Sequence, residues 1–60
     1  MTPADLRAYR LDVLHLTQVQ LAALLGVQSL SISRWERGAS PIPAWLHYAL
    51  YAIAIEQQSA

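Results

Sequence analysis

The sequence predicts an all-α fold, because helix starts and stops follow one another along the chain and no strand pattern is present. Thr2 and Thr17 each precede a run with apolar residues at helical spacing, and Gly26 and Gly38 each follow such a run. No stretch alternates apolar and polar residues with the two-residue period of a strand. With 60 residues, the chain is expected to form one compact domain over residues 1–60.

The first helix is predicted from Pro3 to Val13 or Leu14. Thr2 can cap its N-terminus, and Pro3 suits the first helical position. Helical spacing places several side chains on one inner face. These are Leu6, Tyr9, Val13 and, as an open alternative, Arg10.

The second helix is predicted from Gln18 to Leu25. Thr17 is its cap, and Gly26 ends it, since glycine most easily adopts the left-handed conformation at a helix C-terminus. Ala22 supplies the small residue that a close helix crossing requires. The second helix can therefore be followed by a tight turn and a steeply crossing helix.

The third helix is predicted to open at Gln28 or Ser29 and to end before Gly38. A loop over residues 39–43 follows, because each proline in this region pushes the residue before it out of the helical conformation. The fourth helix is predicted over residues 43–57, starting on a proline in its first turn. Both tryptophans are expected in the core and both histidines in solvent.

Composition excludes several classes of function. The net charge is zero, which argues against a protein that coats nucleic acid without sequence preference. The chain has no cysteine, and His15 and His47 have no neighbouring ligand set, so we expect no metal and no cofactor. No paired carboxylates, no nucleophile with a base and no glycine-rich phosphate loop are visible. We therefore expect no enzyme and no small-molecule ligand.

The apolar residues argue for a protein that neither crosses a membrane nor carries a signal peptide. The longest apolar stretch, residues 45–55, falls short of the ~20 residues that a membrane span needs. The N-terminus has no basic stretch followed by an apolar run. We expect a cytoplasmic location and no membrane partner. A hydrophobic fraction of 55% is high for so small a monomer and hints at burial against a second chain.

Residues 17–38 carry the pattern of a helix-turn-helix. The turn needs a residue that tolerates positive φ, which Gly26 supplies. One face of the third helix is apolar and would pin it to the second. The residues on that side are Val27, Ile32 and Trp35. The opposite arc of about 140° consists of Ser29, Leu30, Ser33 and Arg34, and an exposed helix face of this kind fits into the major groove of DNA.

The stretch from Leu16 to Val27 resembles the first half of the motif shared by the Cro and lambda-repressor (XRE-type) helix-turn-helix family. The stretch from Ser31 to Gly38, ending Trp35-Glu36-Arg37-Gly38, is similar to its second half, without a gap. The resemblance implies a compact four- to five-helix lambda-repressor-like DNA-binding domain. It also implies a small regulator, typically a dimeric repressor of phage or bacterial type that reads an inverted-repeat operator.

The resemblance implies a set of DNA contacts. Gln18 would meet a phosphate through its side chain and the helix N-terminus. Arg34 could pair with guanine, and Leu30 is open between a thymine methyl and the rim of the core. The full set of expected DNA-binding residues is Gln18, Gln28, Ser29, Leu30, Ser33, Arg34, Arg37 and Ser40, with the Gly38 backbone.

The family also implies a buried ion pair between the first helix and the recognition helix. Here the expected partners are Arg10 and Glu36, with Arg7 or no partner as alternatives. The join around Leu14 and His15 is one residue longer than is usual in the family, which often has a glycine there. This extra residue leaves the register of the first helix open.

The fourth helix is apolar on nearly all sides, whereas a surface helix of a small domain should show one apolar stripe. One face is expected to pack inward through Leu46, Ala49, Leu50 and Ile53. The remainder would form a patch that usually marks an interface, expected here with a second copy. The residues of this dimer interface are Tyr48, Tyr51, Ala52 and Ile55. The alternative is a central core helix covered on both sides within one monomer.

A rival interpretation makes the chain a protein-interaction module, such as an antitoxin or anti-repressor that binds a protein partner. The zero net charge and the apolar residues on the outer side of the second helix favour it. These outer residues are Val19, Ala23 and Leu24. A purely structural helical bundle is the third interpretation, and it leaves the ungapped motif unexplained.

Overall fold

The computed structural model describes residues 1–59, which form helices and no strand. The first helix, α1, spans Pro3–Ala8 and continues without a break as a π-helical segment over Tyr9–Leu14. Three further helices follow, α2 at Gln18–Leu25, α3 at Ser29–Arg37 and α4 at Leu46–Ser59. The all-α prediction is confirmed, with four helices when α1 and the π segment are taken as one.

A reciprocal cap fixes the start of α1. The Thr2 hydroxyl accepts a hydrogen bond from the Asp5 N–H, and the Asp5 carboxylate accepts one from the Thr2 N–H, each at 3.1 Å. The bond from the Thr2 backbone holds the pKa of Asp5 below its ordinary value. The cap predicted at Thr2 is confirmed, and the reciprocal hydrogen bond to Asp5 adds to it.

The π segment absorbs the extra residue before α2. It ends at His15, which adopts a left-handed conformation with φ 55°, and the N–H groups of His15 and Leu16 both donate to the Arg10 carbonyl. A π turn holds one residue more than an α turn. The inner face of the first helix therefore repeats every four residues and consists of Leu6, Arg10 and Leu14.

Because of this wider turn, one residue that was predicted in the core lies outside it. Val13 was expected on the inner face but is 47% exposed, and Leu14 is buried in its place. The prediction assumed α-helical spacing throughout, and the π turn moves the face by one position. Arg10, left open from the sequence, belongs to the inner face.

The turn between α2 and α3 follows the prediction closely. Thr17 and Gln20 form a second reciprocal cap, with bonds of 2.9 and 3.1 Å. Gly26 ends α2 at φ 73°, and Gly38 ends α3 at φ 74°. Ala22 is buried where α2 and α3 pack, which lets the two helices approach closely.

The start of α4 differs from the prediction. Pro43 was expected to open the helix, but α4 begins at Leu46 and ends at Ser59. The Leu46 N–H donates to the Pro43 carbonyl at 3.1 Å, so residues 43–46 form a tighter turn ahead of the helix. Leu46 is fully buried, and the helix begins where the chain enters the core.

The core draws on the first helix and on α2, α3 and α4. Its apolar members are Leu6, Leu14, Leu21, Ala22, Ile32, Trp35, Leu46, Leu50 and Ile53. Trp45 was also expected there but is 49% exposed, and its ring meets Trp35 edge-on with centroids 6.1 Å apart. Trp45 lies in the turn before α4, and about half of its surface stays in solvent.

Within residues 1–59, the helices are too short and too polar to span a bilayer.

Candidate nucleic-acid interface

The outer face of α3 is mostly polar and partly exposed, whereas its inner face is buried. Ile32 is fully buried and Trp35 is 9% exposed, so these two side chains anchor the helix. On the other side, Ser29 and Ser33 are half-buried and Arg34 is exposed. Gln28, the N-cap residue, is exposed as well. The predicted arc of polar side chains is therefore present and faces solvent.

Leu30 lies on this outer face. It is 48% exposed and is not one of the buried residues that form the core. About half of Leu30 is therefore available to a partner such as a thymine methyl, and this contact stays a prediction. A large apolar side chain stands in solvent beside Arg34.

Arg34 and Arg37 place two positive charges at the C-terminal end of α3. The ion pair found within residues 1–59 joins Arg10 to Glu36, so both of these exposed guanidinium groups lack a carboxylate partner there. Arg37 donates from Nε to the Ser33 carbonyl at 3.3 Å, which directs its side chain back along the helix. The charges are free to meet an anion such as a phosphate.

A buried ion pair joins the first helix to α3. Arg10 donates from Nε to Glu36 Oε2 at 2.6 Å and from Nη2 to Oε1 at 3.0 Å, in the two-pronged geometry that favours arginine. The side chains are 8% and 5% exposed. Arg10 also donates from Nη1 to the Leu16 carbonyl at 3.0 Å. The predicted Arg10–Glu36 pair is confirmed.

The electrostatics of Glu36 follow from its partners. Burial would raise the pKa of the Glu36 carboxyl, but the hydrogen bonds from Arg10 and Gln18, with the Arg10 charge, outweigh it and hold the pKa below its ordinary value. The same pair raises the pKa of Arg10. Arg7 lowers the pKa of Glu36 only through its positive charge, without a hydrogen bond. The pair is ionised at neutral pH.

Gln18 has a partner that the sequence did not reveal. Its Nε2 donates to Glu36 Oε1 at 3.2 Å, so the side chain ties α2 to α3. The first N–H groups of a helix have no partner within it, so the backbone of α2 around Gln18 remains able to bind an anion. Gln18 and Glu36 are 18 residues apart, so no local spacing pattern in the sequence could have predicted this bond.

The residues after α3 are already hydrogen-bonded through their backbones. The Gly38 N–H donates to the Trp35 carbonyl at 3.3 Å, and the Ser40 N–H donates to the Arg34 carbonyl at 3.4 Å. A phosphate contact at Gly38 through its backbone N–H would therefore have to break a helix-capping bond. The half-buried Ser40 retains its hydroxyl for such a contact.

The outer face of α4 is apolar, as the sequence predicted. Tyr48 is 70% exposed, Tyr51 65% and Ile55 49%, and Ala52 is exposed with them. Leu46, Leu50 and Ile53 are buried on the opposite side, and Ala49 is half-buried. The imidazole of His47 stacks on the Tyr48 ring with centroids 3.9 Å apart. Nothing within residues 1–59 covers this face, so the alternative of a fully sheathed core helix is excluded.

An open groove of about 540 Å³ lies where the first helix meets α2. Its walls are largely apolar and include Leu11, Leu16 and Val19. The described part of the chain brings together no cluster of three or more histidine, cysteine or acidic side chains that could hold a metal ion.

A family model described as helix-turn-helix matches residues 6–44, which is well over half of the chain. The matched range runs from the first core leucine, Leu6, to the turn before α4 and contains both α2 and α3. Searches of curated proteins and of solved structures find no match.

Proposed function

Because this chain belongs to the Cro and lambda-repressor-like (XRE-type) family of helix-turn-helix DNA-binding regulators, we propose that it is a cytoplasmic, sequence-specific transcriptional repressor. The observation that carries this proposal is the outer face of α3, which carries serines and two exposed arginines around a single leucine. An α-helix of this kind fits the major groove, where every base pair presents a distinct pattern of donors and acceptors. In this proposal residues 1–60 act as one DNA-binding domain.

The roles of the side chains follow from their positions. Arg34 pairs with a guanine through two hydrogen bonds, a contact that discriminates by about 1–3 kcal/mol. Gln28, Ser29 and Ser33 reach base edges or the neighbouring phosphates. Phosphate contacts at the two ends of the helix-turn-helix fix its register on the duplex. These come from the α2 N-terminus at Gln18, from Arg37 and from the Ser40 hydroxyl.

The buried cluster of Arg10, Gln18 and Glu36 holds this surface in place. Glu36 is on α3, and its two partners come from the first helix and from the start of α2. A single carboxylate therefore fixes α3 against both preceding helices. Pre-organised contacts of this kind reduce the cost of binding, because less freedom is lost on association.

A homodimer formed through the outer face of α4 completes the proposal. One recognition helix reads few base pairs, and a two-fold dimer places two of them about 34 Å apart on one side of the duplex. Tyr48, Tyr51, Ala52 and Ile55 recur at spacings of three and four residues, so they form one continuous stripe. Such a dimer calls for an operator that is an inverted repeat.

A second candidate function is supported by a different observation. The outer side of α2 is apolar, with Val19 68% and Leu24 58% exposed, and Val19 also lines the groove beside the first helix. This surface suits a protein partner, as an antitoxin or anti-repressor would need. Its residues are different from those of the α3 face on which the DNA-binding proposal rests.

Selection of duplexes from a random pool tests the main proposal. We expect an inverted repeat to be enriched, and Arg34→Ala to lower the affinity for it by about 5- to 150-fold. Arg7→Ala is the matched control, because it removes an equal exposed charge from the first helix. Failure to enrich any sequence would refute the proposal and leave the protein-binding candidate.

A further inference from the structure

Leu30 is the one large apolar side chain on the outer face of α3. It is 48% exposed, and the core is closed without it by Ile32 and Trp35 on the inner face. The neighbours on either side are serines at positions 29 and 31, with a third at 33. These short side chains cannot cover a leucine. Leu30 therefore projects beyond its neighbours on this part of the helix.

The charges beside Leu30 favour nucleic acid as its partner. Arg34 follows four residues later, on the same side of the helix and about 6 Å further along its axis. Arg34 and Arg37 are exposed and have no carboxylate partner within the described chain. A partly exposed leucine beside two positive charges suits a partner that is anionic overall and apolar at one point. The groove of a nucleic acid fits this description better than an apolar protein surface does.

The major groove of DNA offers an apolar group of this kind in the 5-methyl of thymine. Resting on the proposed function, we infer that Leu30 makes this chain selective for a thymine methyl in each half-site. Arg34 reads a guanine close by, at most about two base-pair steps away, because the two side chains are separated by one helical turn. The chemistry that α3 recognises is thus a 5-methylpyrimidine beside a guanine.

The size of the effect follows from the area of one methyl group. Burial of one methyl-sized group contributes about 0.8 kcal/mol, which corresponds to about a fourfold change in affinity. Replacement of the critical thymine by uracil removes the methyl and leaves the base-pairing unchanged. We therefore expect this single replacement to weaken binding about fourfold.

The test uses the enriched duplex and replaces each thymine by uracil in turn. We expect one position per half-site to show the loss with the parent protein. Leu30→Ala should bind the thymine and uracil duplexes alike, since the side chain that senses the methyl is gone. Leu24→Ala, which truncates another exposed leucine on α2, should retain the fourfold difference. Because Leu30 is outside the core, its variant should melt close to the parent.

Three outcomes would overturn the inference. If a sequence is enriched but uracil has no effect at any position, the inference fails and the proposed function stands. If Leu30→Ala keeps the uracil effect, another side chain reads the methyl and the inference fails. If no duplex is enriched at all, the proposed function and the inference fail together.

Discussion

Helices α3 and α4 have inner faces of similar character, whereas their outer faces differ in chemical character. Each is held by fully or almost fully buried apolar side chains, Ile32 and Trp35 in α3 and Leu46 and Leu50 in α4. The outer face of α3 carries serines, Leu30 and two arginines that have no carboxylate partner within residues 1–59, whereas that of α4 carries two tyrosines, an alanine and an isoleucine. Burial of apolar side chains therefore attaches both helices, and their outer faces differ in the partner that they suit.

This contrast explains why the net charge of the chain is uninformative. The four positive and four negative charges cancel in the sum, but they are not spread evenly. Arg10 is neutralised by Glu36 inside the protein, while Arg34 and Arg37 stand on one helix face. A neutral chain can thus present a local cationic surface, and it is the local surface that meets a phosphate backbone.

The anchors of the two helices also differ, and Glu36→Gln tests this difference with the largest expected effect. Within residues 1–59, the buried ion pair attaches α3 and not α4, so the variant leaves the Arg10 guanidinium buried without a counter-charge. We expect the free energy of unfolding to fall by about 3–5 kcal/mol. Urea denaturation measures it. Glu56→Gln, on the exposed end of α4, is the matched control and should unfold like the parent.

The same pair predicts a pH dependence. The pKa of Glu36 is lowered in the folded protein, so its contribution to stability is present above the ordinary glutamate pKa of 4.5 and is lost as the pH falls through the folded value. Asp5 acts in the same direction. The difference between the parent and Glu36→Gln should therefore shrink below about pH 4.5. A difference that stays constant down to pH 3 would contradict the ionised pair.

Arg34→Ala sharpens the comparison at the outer face of α3, with an effect of intermediate size. We expect a loss of about 1–3 kcal/mol for the enriched duplex and a much smaller loss for random DNA. Arg37→Ala should weaken both duplexes alike, because phosphate contacts carry no sequence information. Fluorescence anisotropy at fixed salt measures the affinity of each variant for each duplex. Equal losses for the two variants on both duplexes would show that α3 has no base-reading face.

The parts of the fold that depend on local chemistry were predictable from the sequence. Thr2 and Thr17 cap helices through side-chain bonds to residues three positions ahead, and Gly26 and Gly38 adopt the left-handed conformation expected of them. The outer arc of α3 and the two faces of α4 followed from helical spacing alone. The Arg10–Glu36 pair came from resemblance to a known family.

The parts that depend on register or on long-range contacts were not predictable. Val13 was misplaced because one extra residue is stored in a π turn, which hydropathy spacing cannot distinguish from an α turn. Trp45 was expected in the core, but it lies in the turn before α4 and is 49% exposed. The bond from Gln18 to Glu36 joins residues far apart in sequence.

The left-handed residues that end the first helix and α2 give the smallest expected effect. His15 and Gly26 both have positive φ, but only the glycine adopts it without strain. We expect His15→Gly to stabilise the protein by about 0.5–1 kcal/mol, since the relief of strain exceeds the entropy lost by glycine. Gly26→Ala should destabilise it by a similar amount, because a Cβ there would meet no other atom and only the strain remains. Thermal unfolding compares the two; a His15→Gly variant that melts below the parent would contradict the account.

The central claim is that α3 faces DNA while α4 faces a second copy. The most direct test compares the affinity of the parent and of Tyr51→Glu for a duplex with the whole inverted repeat and for one with a single half-site. We expect the parent to bind the whole repeat about 100-fold tighter or more, because the second half-site is reached within one dimer. Tyr51→Glu should bind the half-site like the parent and lose most of that advantage. A parent that binds both duplexes equally, or a variant that keeps the parent's ratio, would contradict the claim.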